Sequence, residues 1–214
     1  MKNLLRVIWR KIRFNQKEEW DKIAYSFFEK RGLVIDIGCG EGRFISQNPS
    51  KIIGIDWNDK SLKICKEYGY NVIKGDIKHL PFKDESIYGI HCSHVIEHFL
   101  PIDVHKILSE FNRVLIYEGI LIIRSPLLYN GFYSDLTHIR PYNPDAIIHY
   151  LSPSSQRTLK QVSTNFEIIY LRYRYSSLNF KIKYANLIFN VLNRWGFPWI
   201  KKTGYMLVMK KSGK

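Results

Sequence analysis

Five short runs rich in isoleucine and valine alternate with helical patterns in the middle of the chain, and this alternation constrains the fold more than any other feature. The runs lie at residues 33–37, 51–56, 71–74, 87–92 and 120–124. Helical patterns lie between them, including residues 61–68 and 103–115. Short apolar runs of this kind are typical of parallel strands buried on both faces, and parallel strands need crossover connections. The sequence therefore predicts an α/β fold in which a doubly wound, mostly parallel sheet carries helices on both faces.

The character of the sequence changes after Pro126. The next residues form a loop rich in tyrosine, histidine and proline. Asn143 and Pro144 then predict the start of a helix, because asparagine is a good N-cap and proline suits the first helical turn. Two further strands are predicted at residues 166–173 and 205–210. With the first five, they make a sheet of seven strands.

Length and composition fit one globular domain. The chain has 214 residues, of which 45% are hydrophobic, enough for a substantial core. The three cysteines form no Cys-x-x-Cys pair, which disfavours a disulfide framework or a thiolate zinc site and suits a reducing compartment. No run approaches the roughly 18 apolar residues of a membrane span. Because Arg6, Arg10 and Lys11 also interrupt the stretch that a signal peptide would need, we expect a cytoplasmic protein.

A glycine-rich loop, Asp36-Ile-Gly-Cys-Gly-Glu-Gly42, follows the first predicted strand, where a helix should begin. Glycines permit a sharp turn and the close approach of a ligand, and open parallel sheets bind ligands at the carboxyl ends of their strands. Dinucleotide-binding loops have the spacing Gly-x-Gly-x-x-Gly, whereas here Arg43 stands at the position of the last glycine. Asp36 also suits a ligand that presents cations better than it suits a pyrophosphate. The loop therefore disfavours an NAD-dependent oxidoreductase.

Two more carboxylates close the second and third predicted strands. Asp56 comes about 20 residues after the glycine loop, where a carboxylate can accept hydrogen bonds from both hydroxyls of a ribose. Asp76 follows the third strand, where it can accept from an adenine amino group. Carboxylates at successive strand ends therefore predict a site for a ligand that contains a nucleoside.

The motifs occur in a characteristic order. The segments VIDIGCGEGRF, GIDWN, GDIKHLPF, HVIEHF and RVLIYEGILII follow one another within residues 31–150. In this order they resemble the motifs of class I S-adenosylmethionine-dependent methyltransferases of the type 11 and type 23 small-molecule kind. The resemblance implies S-adenosyl-L-methionine as cofactor and a Rossmann-like sheet whose last strand runs antiparallel at the sheet edge. It also implies transfer of a methyl group to an oxygen or nitrogen of a small-molecule or lipid-linked acceptor.

The resemblance assigns roles to individual residues. Asp36 and the glycine loop would hold the methionine part of the cofactor, Asp56 the ribose and Asp76 the adenine edge. The end of the fourth strand would line the pocket of the methyl donor. The residues expected to bind the cofactor are Asp36, Gly38, Cys39, Gly40, Gly42, Asp56, Trp57, Asp76, Ile77, Cys92 and Ser93.

The segment His94-Val-Ile-Glu97-His98 admits three interpretations. It matches the His-x-x-Glu-His pattern of some zinc proteases, whose two histidines share one helical face, but the predicted sheet assigns it to the wall of the cofactor pocket. It also resembles the Glu-x-x-Glu-His segment of some ubiquinone-biosynthesis and small-RNA methyltransferases, which can hold a divalent metal. His94 stands where that pattern has its first glutamate. In the third interpretation Glu97 and His98 cap and pack the following helix. We predict no metal site, and metal assistance at Glu97 and His98 stays open.

The segment Asp135-Leu-Thr-His138-Ile-Arg140 follows the fifth predicted strand and is similar to a segment of many small-molecule members of the family. His138 is the predicted general base, because imidazole titrates near neutral pH and methyl transfer to oxygen releases a proton. Arg140 could pair with a carboxylate or phosphate of the acceptor, and His94 is a further candidate catalytic residue. The alternative is a hydrogen-bonded loop without a catalytic role.

The formal net charge of +14 is concentrated at the two ends of the chain. Residues 1–31 carry nine Lys/Arg and four Asp/Glu, and residues 152–214 carry twelve Lys/Arg and one Glu. We expect a basic amphipathic extension over residues 1–30, a methyltransferase domain over residues 31–214 and an aromatic, basic insertion at about residues 176–203.

Three roles are open for these basic ends. They could cover the acceptor site, lie in an anionic membrane interface or bind single-stranded RNA, and nucleic acid is the least favoured of the three. A membrane role would suit a protein peripheral to the bilayer. The alternative to an enzyme is a catalytically inactive S-adenosylmethionine-binding adaptor at a membrane surface or on RNA. The oligomeric state stays undetermined.

Overall fold

The computed structural model describes residues 19–28, 32–153, 159–175 and 202–213. Among these residues, seven strands form one sheet: β1 Val34–Ile37, β2 Ile52–Asp56, β3 Val72–Lys74, β4 Ile87–Ser93, β5 Leu115–Pro126, β6 Phe166–Tyr175 and β7 Lys202–Lys211. The connecting α-helices are α1 Asp59–Glu67, α2 Pro101–Val114 and α3 Pro144–Leu151. Short 3-10 turns lie at Ile45–Gln47, Ile96–His98 and Phe132–Ser134. The seven predicted strands and the helices predicted at residues 61–68, at 103–115 and after Asn143 are present, with ends shifted by a few residues.

The order of strands in the sheet is β3-β2-β1-β4-β5-β7-β6. Strands β1 to β5 pair in parallel, whereas β7 pairs antiparallel with both β5 and β6. The predicted mostly parallel sheet with an antiparallel last strand is confirmed. Since the chain order reverses between β1 and β4, the crevice at their carboxyl ends is where an open α/β sheet binds its ligand.

The expectation that the last strand forms the edge of the sheet is wrong. Strand β7 lies between β5 and β6, and β6 is the edge strand. The residues of β7 from Thr203 to Met209 are all buried, which requires neighbours on both sides, while much of β6 is exposed or half-buried. Charged residues on β6, including Glu167 and Arg172, suit an edge strand because they discourage pairing with a further chain.

The α-helix expected directly after the glycine loop does not form. Residues 41–44 make turns, and only the 3-10 turn Ile45–Gln47 follows. Pro49 accounts for this short length, because the residue before a proline is disfavoured in the helical region. Accordingly, Asn48 has φ −161° and ψ 87° and ends the turn.

Helices cover both faces of the sheet, as predicted. On one face, α2 and α3 contribute buried side chains such as Ile107 and Ile147 to a core that includes Ile35 and Ile37 of β1. On the other face, Leu62 and Cys65 of α1 pack in a second core. Each fully buried aliphatic or aromatic side chain of this size stabilises the fold by about 1.5–3 kcal/mol.

Residues 19–26 are helical and belong to the second core. Trp20, Ala24 and Phe28 are buried there with Val34 of β1. This part of the predicted amino-terminal extension therefore packs on the sheet. The predicted amphipathic pattern over residues 2–13 lies outside the described residues. In the part of the chain that the structure describes, no helix has the length and apolarity needed to cross a bilayer.

Candidate functional site

A cavity of about 810 Å³ opens at the carboxyl ends of β1 to β4. Its size is in the usual range for sites that take a small molecule or cofactor. One wall is formed by residues that follow the first three strands, and the opposite wall by residues that follow β4 and β5. The lining residues are Gly38, Ile55, Asp56, Trp57, Lys74, Gly75, Asp76, Ile77, Lys78, His94, Val95, His98, Phe99 and Thr137.

The glycine loop contributes Gly38 to the lining of this cavity. Gly38 has φ 66°, and a Cβ atom there would lie 2.5 Å from Cγ2 of Val95. The amide of Gly38 donates to the carbonyl oxygen of Ile55 at 2.8 Å, and the amide of Gly40 donates to Oδ2 of Asp56 at 2.8 Å. The loop is therefore held against the end of β2, and the absence of a side chain at Gly38 brings it close to the wall after β4.

Asp56 lies at the end of β2 with a carboxylate fixed in position. Its Oδ2 accepts from the amide of Gly40, and its Oδ1 accepts from the amide of Asn58 at 2.9 Å. Each carboxylate oxygen has two acceptor sites, so both oxygens can still accept a hydroxyl. The neighbouring Trp57 lines the cavity and keeps 80% of its surface exposed, which leaves the ring free to stack on a base.

Asp76 and Ile77 line the cavity beside Asp56. Oδ1 of Asp76 accepts from the amide of Lys78 at 2.9 Å, while the side chain stays half exposed. Ile77 is buried and supplies an apolar surface beside that carboxylate. Hydroxyl acceptors, an amino acceptor and apolar surface together fit the ribose and adenine of a nucleoside.

Asp36 does not reach the cavity. Its carboxylate is buried and lies 2.7 Å from Nδ1 of His91, whose ring stacks on Phe44 at 3.7 Å between centroids. Burial raises the pKa of Asp36 above its ordinary value, and the hydrogen bond with His91 offsets only part of this effect. Asp36 therefore supports the loop from inside the protein.

Some other residues expected to bind the cofactor do not line this cavity. They are Cys39, Gly40, Gly42, Cys92 and Ser93, none of which is among the lining residues. Cys92 is buried, and burial raises the pKa of its thiol well above the usual value. The predicted residues that do line the cavity are Gly38, Asp56, Trp57, Asp76 and Ile77.

The wall after β4 carries a histidine paired with a buried glutamate. Nδ1 of His94 lies 3.2 Å from Oε1 of Glu97, and Oγ of Ser125 donates to Oε2 of Glu97 at 3.2 Å. Glu97 is fully buried, whereas His94 lines the cavity with 43% of its side chain exposed. Because the carboxylate accepts the Nδ1 proton, Nε2 of a neutral His94 keeps its lone pair.

His94 has an unusual backbone conformation. Its φ is 58°, in the left-handed region that residues other than glycine adopt only rarely and that is often found at functional sites. Desolvation lowers the pKa of His94 below its ordinary value, although the hydrogen bond and charge of Glu97 act in the opposite direction. The histidine is therefore kept neutral and able to accept a proton.

His98 and His138 are held by backbone carbonyls. Nδ1 of His98 lies 3.1 Å from the carbonyl oxygen of Thr137, and Nδ1 of His138 lies 2.7 Å from that of Phe132. Since a carbonyl only accepts, both rings donate from Nδ1 and keep the lone pair on Nε2 when neutral. The two rings are 4.9 Å apart, and only His98 lines the cavity.

The predicted catalytic residues are thus separated by the structure. His94 lies on the cavity wall, whereas His138 lies behind His98 and Thr137 with 13% of its side chain exposed. The guanidinium of Arg140 lies over the ring of Tyr142 at 5.3 Å and outside the cavity lining. The geometry therefore favours His94 over His138 as the base.

Glu97, His98 and His138 could together hold a metal ion. One ligand atom of each lies within 4.8 Å of the others, and histidines whose second nitrogen donates to a carbonyl are typical of metal sites. His94 and His98 do not share a helical face as in a protease, because the segment is a 3-10 turn that begins after His94. Metal assistance at Glu97 and His98 thus remains open, with His138 as a third candidate ligand.

Glu97 and Val95 are the important residues that sequence reasoning underestimated. Both belong to a segment whose resemblance to the family was recognised, but its histidines drew attention to metal binding. The available signal was a glutamate that directly follows two apolar residues, Val95 and Ile96, since a charged residue in such surroundings needs a specific partner when it is buried.

Comparisons with known proteins agree with this geometry. Residues 35–123 match the family model described as a methyltransferase domain. A tRNA (carboxymethyluridine(34)-5-O)-methyltransferase of Arabidopsis thaliana is 27% identical over 152 residues, which cover 69% of this chain and 37% of that protein. A phthiotriol/phenolphthiotriol dimycocerosates methyltransferase of Mycobacterium tuberculosis is 28% identical over 149 residues, covering 64% and 48%. The chain thus spans about half or less of the length of these curated relatives.

A solved structure has the same fold. The SAM-dependent methyltransferase from Archaeoglobus fulgidus superposes with a TM-score of 0.65 at 23% identity, covering 94% of this chain and 99% of the other. The sheet and its cavity define a Rossmann-like α/β domain with a site for a nucleoside-containing cofactor. Residues 35–123 therefore form a methyltransferase domain, and the fold and the site both fit S-adenosylmethionine as its cofactor.

Proposed function

We propose that this protein transfers the methyl group of S-adenosylmethionine to an oxygen of a small-molecule or lipid-linked acceptor, with His94 as the base. The observation that supports this proposal is the pairing of His94 with buried Glu97 on the wall opposite Asp56 and Asp76. The cofactor, when bound, supplies a methyl group already activated for displacement. The protein has to align the acceptor, exclude water and remove a proton.

The described residues fit the cofactor. Asp56 retains acceptor capacity for ribose hydroxyls, Asp76 is placed for the adenine amino group, and Trp57 offers an exposed ring for stacking. Gly38 lines the cavity, and the absence of a side chain there lets the loop lie against Val95 at the cavity wall. Cofactor binding should therefore depend on the wall formed after β1, β2 and β3.

Proton removal should depend on the opposite wall. An acceptor hydroxyl next to His94 would lose its proton to Nε2, while the Nδ1 proton stays hydrogen-bonded to Glu97. The buried carboxylate fixes the orientation of the ring and stabilises the imidazolium that forms, as in other histidine–carboxylate pairs. Ser125 holds the second oxygen of Glu97 and so limits rotation of the carboxylate. A nitrogen acceptor that attacks as a neutral amine would need this base less.

The names of the relatives suggest the range of acceptors. The mycobacterial relative is named for phthiotriol lipids and the Arabidopsis relative for a tRNA nucleoside. The exposed apolar side chains near the cavity favour a lipid-linked acceptor. Such an acceptor would also suit a protein that binds peripherally to anionic membranes.

The first test is calorimetric titration with S-adenosylmethionine, its demethylated product and NAD. We expect binding of the first two and none of NAD, and Asp56→Ala should abolish binding. Asp84→Ala is the matched control, because Asp84 is an exposed carboxylate paired with Arg113 in another part of the fold. Equal loss of affinity in both variants, or binding of NAD alone, would refute the assignment.

The second test separates an enzyme from a binding adaptor. Methyl-labelled cofactor is incubated with the protein and either lipid extracts or small-molecule extracts, and the label is followed into products. We expect His94→Asn to reduce transfer about 10²-fold or more while cofactor affinity stays within about twofold. Asparagine tolerates a positive φ and can still donate to Glu97, so the substitution removes mainly the titratable group. Cofactor binding without any transfer would identify the adaptor.

A further inference from the structure

Exposed apolar side chains are concentrated at one end of the molecule. In the described ranges, the large hydrophobic residues that stay exposed are Trp57, Tyr68, Leu100, Ile102, Leu128, Tyr133, Leu136, Ile139, Ile168 and Ile169. Six of them lie in the segments that follow β4 and β5, next to the cavity. We call these six residues the apolar rim: Leu100, Ile102, Leu128, Tyr133, Leu136 and Ile139. The same two segments supply the cavity-lining residues Phe99 and Thr137, and exposed apolar side chains gathered beside a ligand cavity are typical of an interaction site.

The two segments that carry the apolar rim are fixed to each other. The amide of Ile139 donates to the carbonyl oxygen of Glu97 at 2.9 Å, and the hydroxyl of Tyr142 donates to that of Phe99 at 2.8 Å. Phe99 itself lines the cavity. Hydrogen bonds between the two segments therefore fix the position of the apolar rim next to the cavity.

Leu136 shows most clearly that this exposure is built into the fold. Its side chain is 100% exposed, yet its neighbours are fixed, because Oδ1 of Asp135 accepts from both the amide of Thr137 at 2.9 Å and its hydroxyl at 2.7 Å. A leucine presented in this way contributes nothing to the core. It gains stabilisation only when another apolar phase covers it.

Two basic segments of the chain join the described structure at the same end of the sheet. Tyr175 pairs with Lys202, and Pro126, at the carboxyl end of β5, pairs with Gly204. The chain between Tyr175 and Lys202, residues 176–201, contains four Lys/Arg, six aromatic residues and no Asp or Glu. It leaves and rejoins the described structure at the carboxyl end of the parallel strands. Residues 1–18, with six Lys/Arg and one Glu, join at Glu19, which lies 3.6 Å from Arg172 on β6.

We infer that the apolar rim docks on the interface of an anionic lipid bilayer, so that the acceptor is an amphiphile that enters the cavity from the membrane. The inference rests on the proposed function and names the class of its acceptor. Apolar side chains at the end of the sheet where two basic segments join it match such an interface, where burial of apolar groups and attraction to anionic headgroups act together. A soluble partner protein would not require that both segments joining at this end be rich in Lys and Arg.

The test is co-sedimentation of the full chain with vesicles. The lipids are phosphatidylcholine mixed with phosphatidylglycerol, with pure phosphatidylcholine and single-stranded RNA as separate arms. The rim variant is Leu128→Glu with Leu136→Glu. The matched control is Ile168→Glu with Ile169→Glu, because these residues are similarly apolar and exposed but lie on β6 near the opposite end of the sheet.

We expect the full chain to bind the mixed vesicles and the rim variant to bind them at least about tenfold more weakly, since burial of one leucine side chain supports a change of this size. The control variant should bind like the full chain. Equal binding by both variants, no binding to anionic vesicles, or binding only to RNA would overturn the inference. Loss of self-association in the rim variant, measured by sedimentation without vesicles, would overturn it in favour of a contact between copies.

Cofactor titration of the same three proteins keeps this inference separate from the proposed function. If vesicle binding depends on the rim but the protein binds no S-adenosylmethionine, the proposed methyltransferase activity is refuted and the proposed membrane-binding surface is kept. Cofactor binding and transfer to a water-soluble acceptor, unaffected by the rim variant and by vesicles, would refute the membrane acceptor and leave the enzyme in place.

Discussion

Replacement of Asp21 by asparagine should destabilise the protein strongly. The carboxylate of Asp21 is buried in the helical residues 19–26 and contacts two arginines. Its Oδ1 lies 2.5 Å from Nη1 of Arg124 on β5, and its Oδ2 lies 2.7 Å from Nε of Arg43 beside the glycine loop. Arg124 is 6% exposed, and burial lowers the pKa of its guanidinium. Asp21→Asn would therefore leave a buried cation without its counter-charge.

The expected cost follows from this burial. Removal of one partner of a buried ion pair costs about 3–5 kcal/mol, because the other charge stays desolvated. In a domain of this size, about 1 kcal/mol corresponds to a shift of about 2–4 °C in Tm, so Tm should fall by roughly 6–20 °C. The surface pair of Asp84 with Arg113 provides the control, since the side chain of Asp84 is 76% exposed. Asp84→Asn should cost at most about 1 kcal/mol.

Urea denaturation at neutral pH, followed by circular dichroism, measures both variants. A difference of less than about 1 kcal/mol between Asp21→Asn and Asp84→Asn would refute the reasoning. The double variant Asp21→Leu with Arg124→Met tests the cause directly. It should recover most of the lost stability, because it removes the isolated charge as well as its partner.

Three further predictions concern the site. Gly38→Ala should weaken S-adenosylmethionine binding at least about tenfold in calorimetry, because its Cβ would lie 2.5 Å from Val95 at a φ of 66° and would displace the loop from the cavity wall. Unchanged affinity would show that cofactor binding does not depend on the position of this loop. The acid limb of the pH–rate profile should have its midpoint below the ordinary histidine pKa of 6.5. The reason is that desolvation lowers the pKa of His94, so that the base stays neutral to a lower pH. A midpoint above 6.5 would contradict a desolvated base. Dialysis against a chelator should leave activity unchanged, because Glu97 is already engaged by His94 and Ser125; loss of activity restored by Mn²⁺ would instead assign a metal to Glu97, His98 and His138.

Local sequence patterns were enough to predict the cofactor half of the site, which is the cavity wall at the ends of β1, β2 and β3. The strands that end at Ile37, Asp56 and Lys74 are short apolar runs, and parallel pairing brings their carboxyl ends to one edge. Asp56 and Asp76 could therefore be placed in one cavity without knowledge of any side-chain contact. Helices on both faces followed from the same pattern.

Contacts between distant strands could not be predicted in this way. Asp36 has the expected position in the chain, but its partner His91 lies 55 residues later on β4, and that contact turns the carboxylate into the interior. Neither residue type nor spacing shows which face of β1 a polar side chain will occupy when both faces are covered. The edge position expected for β7 came from the resemblance to the family, and the pairing of β7 with β6 as well as β5 is another long-range contact that the local sequence does not encode.

The geometry of the acceptor half of the site, which is the cavity wall after β4 and β5, depends on irregular backbone. His94 reaches the cavity wall because its φ is 58°, and Glu97 faces it from a 3-10 turn. Helical periodicity, which placed His94 with His98, does not describe such a segment. His138 lies behind the wall because the loop after β5 is tied to Glu97 through the amide of Ile139, a contact that no local pattern encodes.

The position of β7 between β5 and β6 affects the order in which the sheet can assemble during synthesis. Strand β6 is made before its only neighbour in the described sheet, so it stays without backbone pairing until residues 202–211 have left the ribosome. The parallel strands β1 to β5 need no later residues to pair with one another. We therefore expect β1 to β5 and the cavity at their carboxyl ends to take shape on a nascent chain, and the antiparallel pairs of β7 to form only afterwards.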